Sequence, residues 1–238
     1  MKQPFAFKQF SVAHDICAQK VGTDGVLLGA WTNILSDCKN ILDIGTGSGL
    51  IAIMMAQRTS ESVYINAIDI DKTAVKQASI NFNSCKWSSR LKCFHTSIQN
   101  FQPDEKYDLI VCNPPFFSNS MPPENKQRRV ARHDELLPLE ELFFHANRLL
   151  SEKGSLAIIL PFEKKNSAIH FAKVSNMVPH RICNIKGNKT ADFKRVLLQF
   201  SVRNCNLLFE EENLIIEENR NNYTNEYKLL TKDFYLKF

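Results

Sequence analysis

Ten residues, Ile41-Leu-Asp-Ile-Gly-Thr-Gly-Ser-Gly-Leu50, constrain this chain more than any others. Ile41 to Ile44 read as a buried strand, Gly45, Gly47 and Gly49 as a turn, and Leu50 to Arg58 as an apolar helix. A strand, a glycine turn and a helix predict the first unit of a doubly wound α/β sheet. Glycine lets the backbone approach a ligand closely and take positive φ, because no Cβ intervenes. The helix start offers N–H groups without intrahelical partners to polar or anionic ligand atoms. The spacing, Asp43-x-Gly45-x-Gly47-x-Gly49, differs from the G-x-G-x-x-G of nicotinamide and flavin sites, and it sets an acid two residues before the first glycine.

The remainder reads as the rest of such a sheet. Val63 to Ile70 form a second strand ending in Asp69, where an acid can accept from both ribose hydroxyls of a nucleotide. Asp71 is the N-cap of a helix from Lys72 to Asn83. Leu91 to His95 make a short third strand, with His95 a strand-end residue and not a base. Tyr107 to Cys112 make a fourth, which runs into Asn113-Pro-Pro-Phe116 at the carboxyl edge shared with the glycine turn. Helices over 138–150 and 162–175 flank a strand at 155–160. Strands over 180–186 and 193–202, a hairpin around 207–217 and a helix over 224–233 complete the chain. Residues 1–35 are an N-terminal extension: a hairpin around Phe5, Phe7, Phe10 and Val12, then a helix from Val26 to Trp31 with Asp24 as its cap, packing near the ligand end of the sheet. Residues 118–134 are polar and too long for a simple connection, which predicts a substrate lid.

At 238 residues the chain fits one domain, 1–238. Its net charge of +5 permits a nucleic-acid partner without requiring one. The seven cysteines are scattered, with no C-x-x-C pair, so reduced thiols are expected, with no metal and no disulfide framework. The N-terminus lacks the apolar core of a signal peptide and no apolar run approaches a membrane span, which predicts a soluble cytoplasmic protein with no membrane partner; a monomer is expected. Lys126, Arg128, Arg129 and Arg132 in the lid suit phosphate contacts. A second basic set, Lys186, Lys189, Lys194 and Arg195, is as readily a solvated face, and the acidic runs at 210–212 and 217–218 are read as solvated faces.

The acid-and-glycine pattern resembles motif I of the S-adenosylmethionine-dependent methyltransferases. With Asn113-Pro-Pro-Phe116 downstream, the pair resembles the class I amino-methyltransferases. The chemistry fits such a site. An exocyclic amine is a poor nucleophile because its lone pair is delocalised into the ring. The Asn113 side-chain oxygen and the Pro114 carbonyl can accept its two hydrogens and aim the lone pair. Pro114 and Pro115 fix φ at successive positions and stiffen the loop. Phe116 supplies a stacking face worth ~1–3 kcal/mol per base. With an activated sulfonium donor, catalysis is mostly positioning, which supplies roughly 7–11 kcal/mol in favourable cases.

More narrowly, Phe7-Lys-Gln-Phe10, Lys20-Val-Gly-Thr-Asp-Gly-Val-Leu-Leu-Gly-Ala-Trp31, Ala131-Arg-His133 and Leu229-Leu-Thr-Lys-Asp-Phe-Tyr-Leu-Lys-Phe238 resemble the bacterial tRNA1(Val) adenine-37 N6-methyltransferases. The resemblance implies a Rossmann-like doubly wound sheet of seven strands, mostly parallel with an antiparallel last strand. It implies transfer from S-adenosylmethionine, leaving S-adenosylhomocysteine, to N6 of adenosine 37 of a tRNA. The implied cofactor set is Asp43, Gly45, Thr46, Gly47, Gly49, Asp69, Ile70, Ser97, Ile98 and Asn113. The implied catalytic set is Asn113, Pro114, Pro115 and Phe116, and the substrate set Phe116, Phe117, Lys126, Arg128, Arg129 and Arg132. Ser97 stands where such enzymes often place an acid for the adenine amino group, so a weaker hydroxyl or backbone contact is expected there. Three rivals remain: an N6-adenine enzyme on another RNA or DNA, a glutamine N5-methyltransferase on a protein, and a cofactor- or RNA-binding module without activity.

Overall fold

The computed structural model describes residues 3–17, 20–115, 137–202 and 208–237. Strands β1 (Phe5–Ala6) and β2 (Ser11–Val12) lead to helix α1 (Thr23–Trp31), then β3 (Asn40–Ile44), α2 (Leu50–Arg58), β4 (Tyr64–Asp69), α3 (Lys72–Asn83), β5 (Leu91–His95) and β6 (Tyr107–Cys112). Next come α4 (Leu139–Leu149), β7 (Leu150–Pro161), a 3-10 turn over Phe162–Lys164, α5 (Lys165–Val174), β8 (Met177–Lys186) and β9 (Phe193–Val202). Strands β10 (Glu210–Ile215), β11 (Glu217–Asn219) and β12 (Asn222–Tyr223) and helix α6 (Asn225–Thr231) follow.

One eight-stranded sheet, ordered β10-β8-β9-β7-β6-β3-β4-β5, organises the described residues. β9 lies antiparallel to both β7 and β8. The pairings of β3 with β4 and β6, of β4 with β5, of β6 with β7 and of β8 with β10 are parallel. An antiparallel strand is present as the sequence reading has it, but it is not the last, because β10 follows it, and the sheet has one strand more than the expected seven. Residues read as a hairpin instead form β10, parallel to β8 from Glu210↔Arg181 to Ile215↔Lys186. Its first four residues are all exposed, so no apolar alternation marks it as a strand.

Alternate residues of the central strands face opposite cores, as a period of two requires. Ile41, Leu109, Val111, Ala157 and Ile159 join the core under α1 and α2. Leu42, Ile44, Ile110, Leu156 and Ile158 join the other, with α4 and α5. Helix α1 is buried at every position from Gly25 to Trp31. A Cβ at Gly29 would stand 2.5 Å from Met54 Sδ, so glycine there is what lets α1 approach α2 so closely. Gly22, and not Asp24, is the N-cap of this helix; the Asp24 carboxylate is turned instead onto Arg195 Nε at 2.8 Å. Asp71 caps α3 as expected, accepting from Thr73 N at 2.8 Å. The N- and C-terminal stretches that carried the narrower resemblance meet: Phe7 stacks on Phe10 and on Tyr235, and Lys8 N donates to Phe234 O.

Candidate active site

The register of the sheet sets three signals of the sequence side by side. Ile44 pairs with Ile68 on one side and with Cys112 on the other. The next residues, Gly45, Asp69 and Asn113, therefore stand in a row along the carboxyl edge, on strands spaced about 4.8 Å apart. They open on a single cleft of about 940 Å³. Carboxyl edges of open α/β sheets are where such folds hold ligands.

Gly45, Gly47 and Gly49 all have positive φ, at 67°, 56° and 82°. A Cβ at Gly45 would meet nothing within 4 Å, so this glycine faces open cleft. Gly49 differs: a Cβ there would lie 2.6 Å from the Phe82 ring, and the residue does not line the cleft. It packs α2 against α3. The N–H groups of the turn are largely committed. Gly45 N and Thr46 N donate to Ile68 O at 2.9 and 3.2 Å, and Gly47 N to Asp69 Oδ2 at 2.9 Å. β4 thus takes the N–H groups of Gly45, Thr46 and Gly47, and at those residues the turn offers its uncovered Cα surface.

Asp69 lies in the cleft and is half-buried. Its second oxygen accepts from Asp71 N at 2.9 Å. Burial raises its carboxyl, and the N–H donors from Asp71 and Gly47 oppose that rise. Beyond it, Ile70 projects an apolar side chain into the cleft at 53% exposure. Ser97 and Ile98 form the next wall, and Ser97 Oγ accepts from Asn100 N at 3.3 Å. His95 stays out of the cleft lining, its Nε2 lying 3.0 Å from Ile70 O.

On the opposite side Asn113, Pro114 and Pro115 line the cleft. Pro114 is buried and Pro115 exposed. Among the described residues the Asn113 carboxamide has no hydrogen-bond partner, so it is available to a ligand. Cys112, at the base of the cleft, is a poor nucleophile: burial, with the Asp43 and Asp69 carboxylates adding to it, holds its thiol well above the usual range. Phe116, Phe117, Lys126, Arg128, Arg129 and Arg132, with the whole 118–134 lid, lie outside the described residues.

Asp43 is fully buried and stands behind the glycine turn, not in the cleft. Its Oδ2 accepts from Thr46 Oγ1 at 2.6 Å and Ala52 N at 3.2 Å, joining the turn to α2. Oδ1 is buried with no partner. Burial pushes this carboxyl up to about 7, against the two hydrogen bonds. Between the unfolded value, about 3.9, and 7 the folded chain keeps a proton that the unfolded chain has lost, so this group's contribution to stability falls as pH rises and levels off above 7. His180, which burial pulls down to about 4, gives the opposite slope. The readout is therefore a difference. Between pH 5 and 8 Asp43→Asn should gain on the wild type by on the order of 3 kcal/mol, in melts of the ligand-free proteins. Parallel pH profiles would contradict the assignment.

The cleft has a further wall at the start of α1. Lys20, Thr23, Asp24 and Gly25, leading into α1, line it, as do Gln99 and Leu137.

The methyltransferase small domain family model matches residues 22–178. The tRNA1(Val) (adenine(37)-N6)-methyltransferase of Flavobacterium psychrophilum is 48% identical over 237 residues, 98% of this chain and 99% of that one. The protein of the same name from Christiangramia forsetii is 44% identical over 239 residues, 99% of this chain and 98% of its own. Among solved structures, a predicted O-methyltransferase from Agrobacterium tumefaciens superposes with a TM-score of 0.68 at 16% identity, covering 89% of this chain and 96% of that one. That last likeness speaks to the fold.

Proposed function

The chain belongs to the methyltransferase small domain family and to the tRNA1(Val) (adenine(37)-N6)-methyltransferases, and on that premise we propose that it moves a methyl group from S-adenosylmethionine to N6 of adenosine 37 in tRNA1(Val). One observation carries the reading: Asp69, Gly45 and Asn113 share one cleft on neighbouring strand ends. Nothing in a bare fold requires a carboxylate, an uncovered glycine and an unpartnered carboxamide in that order.

The residues present suit the donor. Asp69 would take the ribose hydroxyls, Ile70 and Ile98 the faces of the adenine ring, and Ser97 or its backbone the amino edge. Gly45 and Gly47 give room for the chain that bears the sulfur. When bound, S-adenosylmethionine supplies a methyl group already activated on a cationic sulfonium. The Asp69 carboxylate makes the cleft favourable to that charge. No covalent step through Cys112 is called for, since its thiol stays protonated.

Asn113 performs the positioning. Its Oδ1 accepts one hydrogen of the target amine and the Pro114 carbonyl the other, which turns the nitrogen lone pair toward the donor. The two prolines hold that pair of acceptors in place before the base arrives, and preorganisation of this kind is what lowers the barrier. A base stacked in a loop must be splayed out to reach it. We take the enzyme to act as a monomer. The six described cysteines are all free thiols, in keeping with the cytoplasm where tRNA is matured. Among the described residues no helix is long and apolar enough to cross a membrane, and no cluster of metal-ligating side chains is present.

The test is transfer of tritium from labelled S-adenosylmethionine to total tRNA from cells lacking the gene and from cells that carry it. Label should enter only the first pool, as N6-methyladenosine in a single valine tRNA. Label in another nucleoside, or none, would overturn the assignment.

A further inference from the structure

The carboxyl edge does not end level with the site. Cys112 pairs with Ile158, but β7 runs on through Ile159 and Leu160 to Pro161, about 10 Å past the end of β6. β9 follows it, Arg195 opposite Pro161, and β8 ends with Lys186 opposite Phe193. Three strands thus rise as a wall beside Asn113.

The top of this wall has a composition of its own. Phe162 and Phe193 lie 5.1 Å apart, tilted by 30°, and both are half-buried. Lys165 Nζ stands 5.9 Å from the Phe162 centroid and Lys186 Nζ 5.5 Å from that of Phe193. Lys164, Lys189 and Lys194 are exposed around the pair. An Asn188 side chain that accepts from Thr190 N, Thr190 Oγ1 and Ala191 N orders the turn carrying Lys189. Segments 162–165 and 186–195 hold six cations and two carboxylates, Glu163 and Asp192, against +5 for the whole chain. Glu217 adjoins through its N–H to Gly187 O, Glu211 neutralises Lys165 and Asp24 binds Arg195. The lysines left over match a polyanion, and the rings match a planar base.

We propose that this wall is a second RNA contact, separate from the target-base pocket: the Phe162–Phe193 pair stacks a base of the strand flanking the target, and Lys189 and Lys194 hold its phosphates. The proposal rests on the RNA-methylating reading. Aromatic faces beside a cationic track are the usual means of holding single-stranded RNA, and phosphate contacts fix register on the ligand. The wall lies on the strands next to Asn113, where the strand leaving a splayed adenosine must pass.

The test compares RNA affinities across a salt series. Lys189→Glu/Lys194→Glu should weaken binding of tRNA about tenfold and flatten the salt dependence by about 1.5, the slope of two lost phosphate contacts. Lys153→Glu/Lys173→Glu makes the same charge change with exposed lysines at the opposite edge, and should move RNA affinity less than twofold. Phe193→Leu, which keeps apolar volume but loses the ring, should weaken RNA about tenfold with the salt slope intact. Melting temperature and S-adenosylmethionine affinity report that each variant is folded. If both double variants weaken RNA alike, or neither does, the wall is overturned. A polyglutamate chain that competes with tRNA as well as an unrelated RNA does would give the surface to an acidic protein and overturn it too. Methyl transfer by the wild type is scored separately. Its failure with the tenfold ratio intact would sink the catalytic reading alone, and an unchanged ratio with normal transfer would sink the wall alone.

Discussion

Replacing Asn113 by alanine should lower turnover on tRNA by about a hundredfold or more, while affinity for S-adenosylmethionine falls no more than about threefold. The size follows from what is removed. Loss of one preorganised polar contact made to the reacting group costs about 100- to 1000-fold in turnover. Asn113 has no hydrogen-bond partner among the described residues, so the truncation takes no bond from the described sheet edge. The adjoining strand end is secured by its own ladder, Ile44↔Cys112 and Cys112↔Ile158. The loss should appear in kcat more than in KM, because the acceptor matters most when the amine is aimed at the methyl group. Asn113→Asp keeps an acceptor oxygen and should retain more activity than alanine. Alanine turnover within a few-fold of wild type, in single-turnover assays with both substrates saturating, would remove Asn113 from the chemistry.

The parts of this site legible in the sequence are those fixed by local rules. The glycine turn, Asp69 and Asn113 each follow directly on an apolar strand, and a strand end is visible as the place where alternation stops. Parallel order then lines them up at one edge. What was not legible depends on partners distant in sequence. β10 carries Glu210, Glu211 and Glu212, which read as solvated. They are fastened by Arg181, Lys165 and the Trp31 indole N–H, which donates to Glu212 at 2.8 Å. No one-dimensional pattern encodes those contacts. β7 begins five residues before its expected start because Ser151 to Lys153 are polar, yet Leu150 pairs with Tyr107 across an irregular register. The fate of the glycine N–H groups was hidden for the same reason: they point at Ile68 and Asp69 only once β4 lies beside β3.

Asp69→Ala should weaken S-adenosylmethionine about a hundredfold, and this carboxylate raises a question that affinity alone does not answer. Both of its oxygens already accept backbone N–H groups, from Gly47 and from Asp71. It therefore braces the glycine turn whether or not it also meets a ribose. Hydrogen bonds to a charged group are worth about 1.5–3 kcal/mol each, and tenfold in affinity is 1.4 kcal/mol, so either loss is large enough. Nor is Asp69→Asn conservative, since an amide NH2 would be set against one of the two N–H donors. The two roles separate in a cycle with S-adenosylhomocysteine and its 2′,3′-dideoxy analogue, measured by calorimetry. If Asp69 takes the ribose hydroxyls, wild type should prefer the parent compound by about tenfold or more and Asp69→Ala should show almost no preference. If it only braces the turn, both ligands weaken in the variant by the same factor and the preference survives. Turnover at saturating donor should recover much further in Asp69→Ala than in Asn113→Ala, because one residue seats the donor and the other aims the acceptor.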